Sequence, residues 1–270
     1  KSRSGLSLAP EKRYLVESRL GPICRKHQIP GLSQLVQVLR SGRNSAIETA
    51  VVEAMTTNET FFFRDKTPFD IFREGLLPKL LAARATTKRL RIWCAAASTG
   101  QEPYSLAMIL DEMRPRLGGV QVDILATDLA GEVLDRAKAG LYSQFEVQRG
   151  LPIQMLLKHF KQEGEQWRIS PAIKGMVQFR PLNLIRDFSA LGQFDVIFCR
   201  NVLIYFDQPT KADVLRRLSN ALAADGALFL GAAETVIGLT DALQPHPEFR
   251  GLYVPNRAQS APAPRLAASA

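Results

Sequence analysis

The chain has 270 residues, with 35 Lys and Arg against 26 Asp and Glu (formal charge +9), and is 46% hydrophobic and 23% charged. That balance excludes a disordered polymer and leaves enough length for one large domain or two unequal ones. No apolar run approaches the roughly 20 residues of a membrane span, and Lys1-Ser-Arg-Ser-Gly5 has no signal-peptide core, so a cytoplasmic protein is expected. Cys24, Cys94 and Cys199 are odd in number, lack CxxC spacing and read as buried free thiols. His27, His159 and His246 are scattered, which argues against a metal site or a histidine-based triad.

Residues 1–50 hold nine Lys/Arg against three Glu, so +6 of the +9 lies there. An acidic protein surface or a nucleic acid would complement this charge, and a solvated helix face would also account for it. The stretches Pro10–Lys26, Leu32–Arg40 and Ser45–Thr56 carry helical periodicity, broken at Gly21-Pro22, Ile29-Pro30-Gly31 and Ser41–Asn44. They predict a small all-α domain over residues 1–57, with Lys12, Arg19 and Lys26 on one stripe if a single straight helix carries them.

Thr56–Asp65 (Thr-Thr-Asn-Glu-Thr-Phe-Phe-Phe-Arg-Asp) sets polar residues beside three phenylalanines and an Arg-Asp pair. Two readings stand: a linker whose aromatics plug a core, or a ligand clamp with Phe faces for a ring and Arg64 for a carboxylate. A helix with Phe69, Phe72, Leu76, Leu77 and Leu80 inward follows. Leu90–Cys94 is then a buried strand, Ala95–Gly100 a turn almost without side-chain bulk, and Glu102-Pro103 the start of a helix bearing Leu106, Ile109 and Leu110. In such a strand–turn–helix unit the backbone at Ala96 and Gly100 can approach a ligand at the carboxyl end of a strand.

Val120–Ala126 predicts the next strand. It ends at Asp128, 28 residues past Gly100, where a Rossmann-like unit places the acid that binds a ribose diol; an Asp after a strand is also a common N-cap. Residues 140–175 break the alternation and read as an inserted small β-subdomain with a turn at Glu163-Gly-Glu165. Strands at Val177–Pro181 and Phe194–Cys199, a helix at Pro209–Ala224 ended by Asp225-Gly226, and strands at Ala227–Leu230 and Gly251–Val254 complete an open α/β sheet. Residues 255–270, rich in Pro, Ala and Ser, are expected to be disordered, with the sheet domain taken as 58–256 and the tail as 257–270.

The strand ends bring Gly100, Glu102, Asp128, Asn183 and Arg200-Asn201 toward one crevice, which suits an adenosine-containing ligand. The first turn lacks G-x-G-x-x-G, and a pyrophosphate needs several free backbone N–H groups at a helix start. S-adenosylmethionine, which has no phosphate, fits better.

The segments Ala-Ala-Ala-Ser-Thr-Gly-Gln-Glu-Pro-Tyr-Ser (95–105), Thr56–Asp65, Ala-Thr-Asp-Leu (126–129) and Phe-Cys-Arg-Asn-Val-Leu-Ile-Tyr-Phe-Asp (198–207) closely resemble CheR, the chemotaxis-receptor glutamate O-methyltransferase family. The resemblance runs from about Pro10 to Pro255. It implies a class I (Rossmann-like) S-adenosylmethionine-dependent methyltransferase sheet with an inserted β-subdomain after an all-α domain. It also implies methyl transfer to glutamates of methyl-accepting chemotaxis receptors, leaving S-adenosylhomocysteine. By motif, Asn58, Thr60 and Arg64 should touch the methionyl end of the cofactor, Glu102 its amino group and Asp128 its ribose. Asn183, Leu184, Arg200 and Asn201 should line the adenine and the pocket floor, and Tyr205 should face the acceptor. Arg200 or Tyr205 could orient the acceptor oxygen, against the plainer readings that Tyr205 packs on the sheet and Arg200 only pairs with an acid. Gln101 stands where the family often has a second Glu, and its role is unassigned.

The expected partners are chemoreceptors, met through the basic N-terminal domain, with a possible regulator at the β-subdomain. The turn at Glu163–Trp167 is short, which favours recognition that does not depend on a receptor's C-terminal pentapeptide. No coiled coil demands a dimer, so a monomer is expected, with membrane contact only through the receptor. Two other classes remain as alternatives. A nucleic-acid methyltransferase would share the basic charge, but the chain has no Asp-Pro-Pro-Tyr or Asn-Pro-Pro-Phe loop. A signalling adaptor would keep the fold without turnover.

Overall fold

The computed structural model describes residues 1–8 and 10–256. Of the stretch expected to be disordered, residues 257–270 lie outside the described residues, and Pro255 instead ends the last strand. Three helices, Arg13–Lys26, Leu32–Ser41 and Ser45–Met55, pack around Leu20, Cys24, Leu35 and Ile47. Gly42 (φ +64°) ends the second in a left-handed cap, and Asn44 caps the third by accepting the Ile47 N–H at 3.0 Å. Pro22 lies inside the first helix on its exposed side, so Gly21-Pro22 does not break it.

Among the described residues ten strands follow these three helices: β1 Arg89–Ala95, β2 Gln121–Asp128, β3 Leu141–Ser143, β4 Phe160–Glu163, β5 Gln166–Ile169, β6 Val177–Pro181, β7 Phe194–Cys199, β8 Leu222–Leu230, β9 Leu243–Pro245 and β10 Leu252–Pro255. Seven form one sheet in the order β6-β2-β1-β7-β8-β10-β9, and three form a small antiparallel sheet, β3-β5-β4, within the insertion. The pairs β6–β2, β2–β1, β1–β7 and β7–β8 are parallel, while β10 runs antiparallel between β8 and β9. The chain winds outward from β1 through β2 to β6, then returns to the other side of β1 at β7. A crevice therefore opens beyond the carboxyl ends of β1 and β7, at the point where the winding reverses.

Both faces of β1 and β7 are buried. Leu90, Ile92 and Cys94 of β1 face one apolar layer, and Trp93 and Ala95 face the other. The one-residue alternation of side chains between sheet faces produces that division. Beside the first layer lies a segmented helix, Thr67–Asp70, a π-turn at Ile71–Leu76 and Leu77–Ala83, whose Phe69 and Phe72 rings sit 6.0 Å from that of Phe198 on β7.

Two sequence expectations change. The helix expected over Pro209–Ala224 spans Gln208–Asn220, and Leu222 begins β8 instead of lining that helix. Its partner sets this boundary: Phe194 N donates to Ala221 O at 2.8 Å and Leu222 pairs with Phe194. Asp225-Gly226 lies within β8 at a register shift, where a Cβ on Gly226 would stand 3.0 Å from Asp195 O. The short strand β9 has no alternating pattern in the sequence and was not expected.

At the opposite end of the sheet from the crevice, Arg84 donates to Asp195 Oδ1 at 2.7 Å and forks onto both carboxylate oxygens of Asp225 at 2.6 and 2.8 Å. Asp195 Oδ2 accepts the Arg91 N–H at 2.6 Å, so one guanidinium ties the segmented helix to β1, β7 and β8. Replacing Arg84 by Ala leaves Asp195 buried without its cation, and urea unfolding is expected to show a loss of about 3 kcal/mol. A loss under about 1 kcal/mol would mean that the apolar layers hold this end unaided.

Candidate active site at the strand ends

A cleft lies over the carboxyl ends of β1, β2, β6 and β7. Ala96, Ser98 and Glu102 border it from the turn and helix after β1, and Asp128 and Leu129 from the end of β2 and the residue after it. Leu182, Asn183 and Leu184 come from the loop after β6, and Arg200 through Phe206 contribute the segment after β7. One wall is the linker Thr56–Arg64, and the other includes Ser4 and Leu6.

The turn after β1 is folded tightly upon itself. Ala96 (φ +63°) and Ser98 (φ +50°) occupy the left-handed region, a strain of order 1 kcal/mol each for residues with a Cβ. Three of its backbone N–H groups are already used: Ala97 N on Thr127 O (2.9 Å), Ser98 N on Asp128 Oδ2 (2.8 Å) and Gly100 N on Ala97 O (3.0 Å). A pyrophosphate would need such groups free, so the turn does not offer a phosphate cradle. Gly100 is buried beneath the turn and does not border the cleft. At φ +93°, a Cβ there would meet Ala137 at 3.0 Å and Tyr104 at 3.1 Å. Its expected ligand contact is replaced by a packing role at the start of the Gln101–Glu112 helix.

Asp128 accepts Ser98 N on one oxygen and Ala130 N, at 3.0 Å, on the other. It does not cap the Gly131–Ala139 helix, whose first N–H instead donates to Glu53 Oε1 at 2.6 Å. Each carboxylate oxygen keeps lone-pair capacity on the cleft side, as a vicinal diol requires. Burial holds the Asp128 carboxyl above its ordinary value, opposed by the N–H groups of Ala130 and Ser98.

The second acid, Glu102, sits at the first turn of its helix with Oε2 2.8 Å from Arg200 Nη1. Burial pushes its carboxyl up, and the Arg200 charge opposes that shift. Arg200 Nη2 donates to Asp65 Oδ2 at 2.7 Å and to the Arg64 carbonyl at 2.9 Å, so this one guanidinium pins the linker to the sheet. Its side chain is only 1% exposed and its Nε has no hydrogen-bond partner. Ser98 Oγ to Asn58 O (2.8 Å) and Phe63 N to Ser105 Oγ (3.0 Å) hold the rest of the linker.

The linker combines parts of both sequence readings. Phe62 is fully buried among Tyr142 and Phe160, with ring centroids at 5.0 and 5.6 Å, and none of the three phenylalanines borders the cleft. The expected Phe faces for a ring are therefore absent, because Phe62 and Phe63 pack into the core on the other side of the linker and Phe61 lies under the guanidinium groups of Arg64 and Arg149. Arg64, Asn58 and Thr60 do border the cleft.

Every other residue anticipated at the site, including Ala96, Leu184, Asn201 and Tyr205, lines the same cleft. Sequence reasoning missed Ser4 and Leu6. They arrive because the first eight residues cross to the sheet: Leu6 bridges Phe206, Ser7 N donates to Tyr205 O at 2.9 Å, and Asn183 Nδ2 donates to Arg3 O at 2.7 Å. Lys1 pairs with Asp207, and Arg3 pairs with Glu48. A small residue at Gly5, whose Cβ would lie 2.8 Å from Ile185, was the one available signal. Glu234, buried behind the Arg200–Tyr205 segment, was also missed.

Exchanging Arg200 for Gln should free the linker without removing any linker side chain. Hydrogen exchange over residues 58–66 is expected to accelerate severalfold. Unchanged exchange would show that Phe62 alone anchors this stretch.

Comparison with known proteins supplies the family. Residues 1–56 match the model "CheR methyltransferase, all-alpha domain", and residues 58–249 match "CheR methyltransferase, SAM binding domain". Chemotaxis protein methyltransferase 1 of Pseudomonas aeruginosa is 46% identical over 244 residues, 89% of this chain and 88% of that protein. A chemotaxis protein methyltransferase of Vibrio anguillarum is 43% identical over 246 residues (90% and 88%), and that of Escherichia coli is 36% identical over 236 residues (86% and 80%). A cleft of two buried acids with a sealed turn, on a reversing parallel sheet behind three helices, thus belongs to a methyltransferase of the CheR family that uses S-adenosylmethionine.

Proposed function

We propose that this enzyme methylates glutamate side chains of chemotaxis receptors, forming methyl esters. The observation that carries the reading is the chemistry of the cleft wall. Two buried carboxylates, Glu102 and Asp128, stand in it, and among the described residues that line it there is no His, Cys or Lys. Such a wall suits a cationic nucleoside and an acceptor that needs no deprotonation. A glutamate side chain has a reference pKa of about 4.3 and is already anionic at neutral pH.

S-adenosylmethionine, when bound, supplies a methyl carbon activated by the adjacent sulfonium charge. The chain's own residues then divide the remaining work. Asp128 accepts hydrogen bonds from the ribose hydroxyls, and Glu102 offsets the ammonium charge. Arg64, with Asn58 and Thr60, faces the methionyl carboxylate, while Asn183, Leu184 and Asn201 enclose the adenine, with the Ala96 backbone beneath. The linker and the first eight residues exclude water from two sides, which strengthens every charge interaction inside. Tyr205, half-buried at the cleft wall, orients the acceptor oxygen. Arg200 is a positioning residue acting through Asp65, Arg64 and Glu102. Alignment of donor and acceptor supplies most of the rate enhancement.

For docking, the exposed basic face of the N-terminal helices complements a glutamate-rich receptor surface. Arg19 is engaged elsewhere, since it donates to Met55 O, Thr56 O and Thr57 Oγ1 at 3.0, 2.9 and 3.2 Å and so fixes the helices to the linker. Docking therefore rests on residues such as Lys12 and Lys26, both exposed. The inserted subdomain leaves Phe145, Ile153 and Leu157 more than 60% exposed, which supports a regulator site there. Its Gly164-Glu165 turn is too short for added recognition elements, which supports receptor binding that does not depend on a terminal pentapeptide. The enzyme works as a cytoplasmic monomer that meets the membrane only through its receptor.

Incubation with tritiated S-adenosylmethionine and receptor membranes should label the receptor with methyl groups released by mild alkali. Alkali-stable label or none would contradict ester formation. In the same assay Tyr205→Phe should lower turnover about tenfold with cofactor affinity within about twofold of wild type. Wild-type turnover would remove Tyr205 from acceptor orientation. Charge reversal at Lys12 and Lys26 should raise the KM for receptor severalfold at low salt, shrinking as salt increases, and leave cofactor binding unchanged. An equal loss of cofactor binding would make this face structural.

A further inference from the structure

The segment after β7 carries Asn201, Val202 and Tyr205 into the cleft, yet little of its own backbone holds it there. Asn201 sits in the left-handed region at φ +59°, and the following turn, Leu203–Tyr205, is a single short 3-10 turn. Within the segment the turn bonds are Tyr205 N to Val202 O (3.2 Å) and Phe206 N to Leu203 O (3.0 Å). The N–H groups of residues 201–204 are left to find partners elsewhere, as at the start of any helical turn.

All four point at one side chain. Glu234, from the loop after β8, accepts Asn201 N at 2.8 Å on Oε2, and Val202 N, Leu203 N and Ile204 N at 2.9, 2.7 and 3.3 Å on Oε1. A fifth N–H, from Gly231, reaches Oε2 at 2.6 Å. Gly231 is bare for the same reason: a Cβ there would lie 2.7 Å from Glu234 Oε2 and 2.8 Å from Asn201 Nδ2. Glu234 is itself 9% exposed and does not border the cleft. An ionised carboxylate is acceptor-only on both oxygens, so it satisfies five converging donors. An amide would turn N–H groups against some of them.

We propose that Glu234 is a positioning residue for methyl transfer, its carboxylate acting as the anvil against which the Asn201–Tyr205 segment is set. It touches neither donor nor acceptor and acts through the placement of Tyr205 and Asn201. The inference rests on the glutamate-methylating function proposed above and extends it to a residue on the opposite side of the catalytic loop.

The test is a double-mutant cycle in the alkali-labile methyl assay, with melting temperature and S-adenosylhomocysteine affinity measured on each variant. Glu234→Gln is expected to lower kcat at least tenfold in the wild-type background. In a Tyr205→Phe background the same change should lower kcat less than threefold, because the Tyr205 hydroxyl it positions is already gone and only its effect through Asn201 is left. Gly231→Ala, which pushes on the same carboxylate and leaves its charge intact, should reproduce the loss and carries the test if Glu234→Gln does not fold. Wild-type kcat in either variant, or an equal factor in both backgrounds, would overturn the assignment. Absence of alkali-labile label with the wild-type enzyme would overturn the parent function, an outcome distinct from normal wild-type label with unchanged variants, which overturns this inference alone.

Discussion

The site depends on one buried guanidinium. Arg200 stands at the end of β7 with its charge shared between Glu102, on the helix after β1, and Asp65, on the linker from the N-terminal helices. A buried cation is tolerated only when paired and hydrogen-bonded, so its burial forces these three parts of the chain to meet. The crevice of a parallel sheet is open by construction, and this network draws the linker down to become a wall. The same logic appears twice more around the cleft. Asp128 accepts the Ser98 amide of the turn after β1, and Glu234 accepts the four amides of residues 201–204 after β7. Irregular backbone after β1, after β7 and in the linker is fixed by four carboxylates and one arginine, without regular secondary structure.

Much of this was legible in the residues. β6 and β7 match their expected bounds; β7 is buried at all six positions, as a strand covered on both faces should be, whereas β6 is an edge strand with only Val177 buried. The turn after β1 announced itself by six residues of low bulk ending at Gly100, and the acid after β2 by its distance from that turn. Gly100 lies buried against Ala137 and Tyr104, and a glycine that lets backbone approach a ligand and one that lets helices pack closely look alike in sequence. The π-turn at Ile71–Leu76 and the start of β8 at Leu222 were hidden for a related reason. The start of β8 is set by a distant partner, Phe194 against Leu222, and Gly75 in the π-turn leaves room for the Phe249 ring, again from far along the chain.

Long-range polar pairing was the least legible layer. Nothing local shows that Arg19 holds the end of a helix 36 residues away, or that Glu53 caps the Gly131–Ala139 helix. Counting charge gave +6 on the first 50 residues. The structure sorts that charge into residues that bind the chain's own carbonyls and residues that face solvent, and only the second kind can steer a partner. The first eight residues make the same point. Polar and short, they carried no periodicity, yet they lie along the cleft and place Ser4 and Leu6 in its wall.

The central claim is that a phosphate-free nucleoside lies across these strand ends with its ribose on Asp128. Isothermal titration of S-adenosylhomocysteine into the wild-type protein and Asp128→Ala tests it directly. The account predicts saturable one-to-one binding by the wild type and at least a tenfold loss of affinity in the variant, with melting temperature little changed. Equal affinity in the two proteins, or no binding by the wild type, would contradict it.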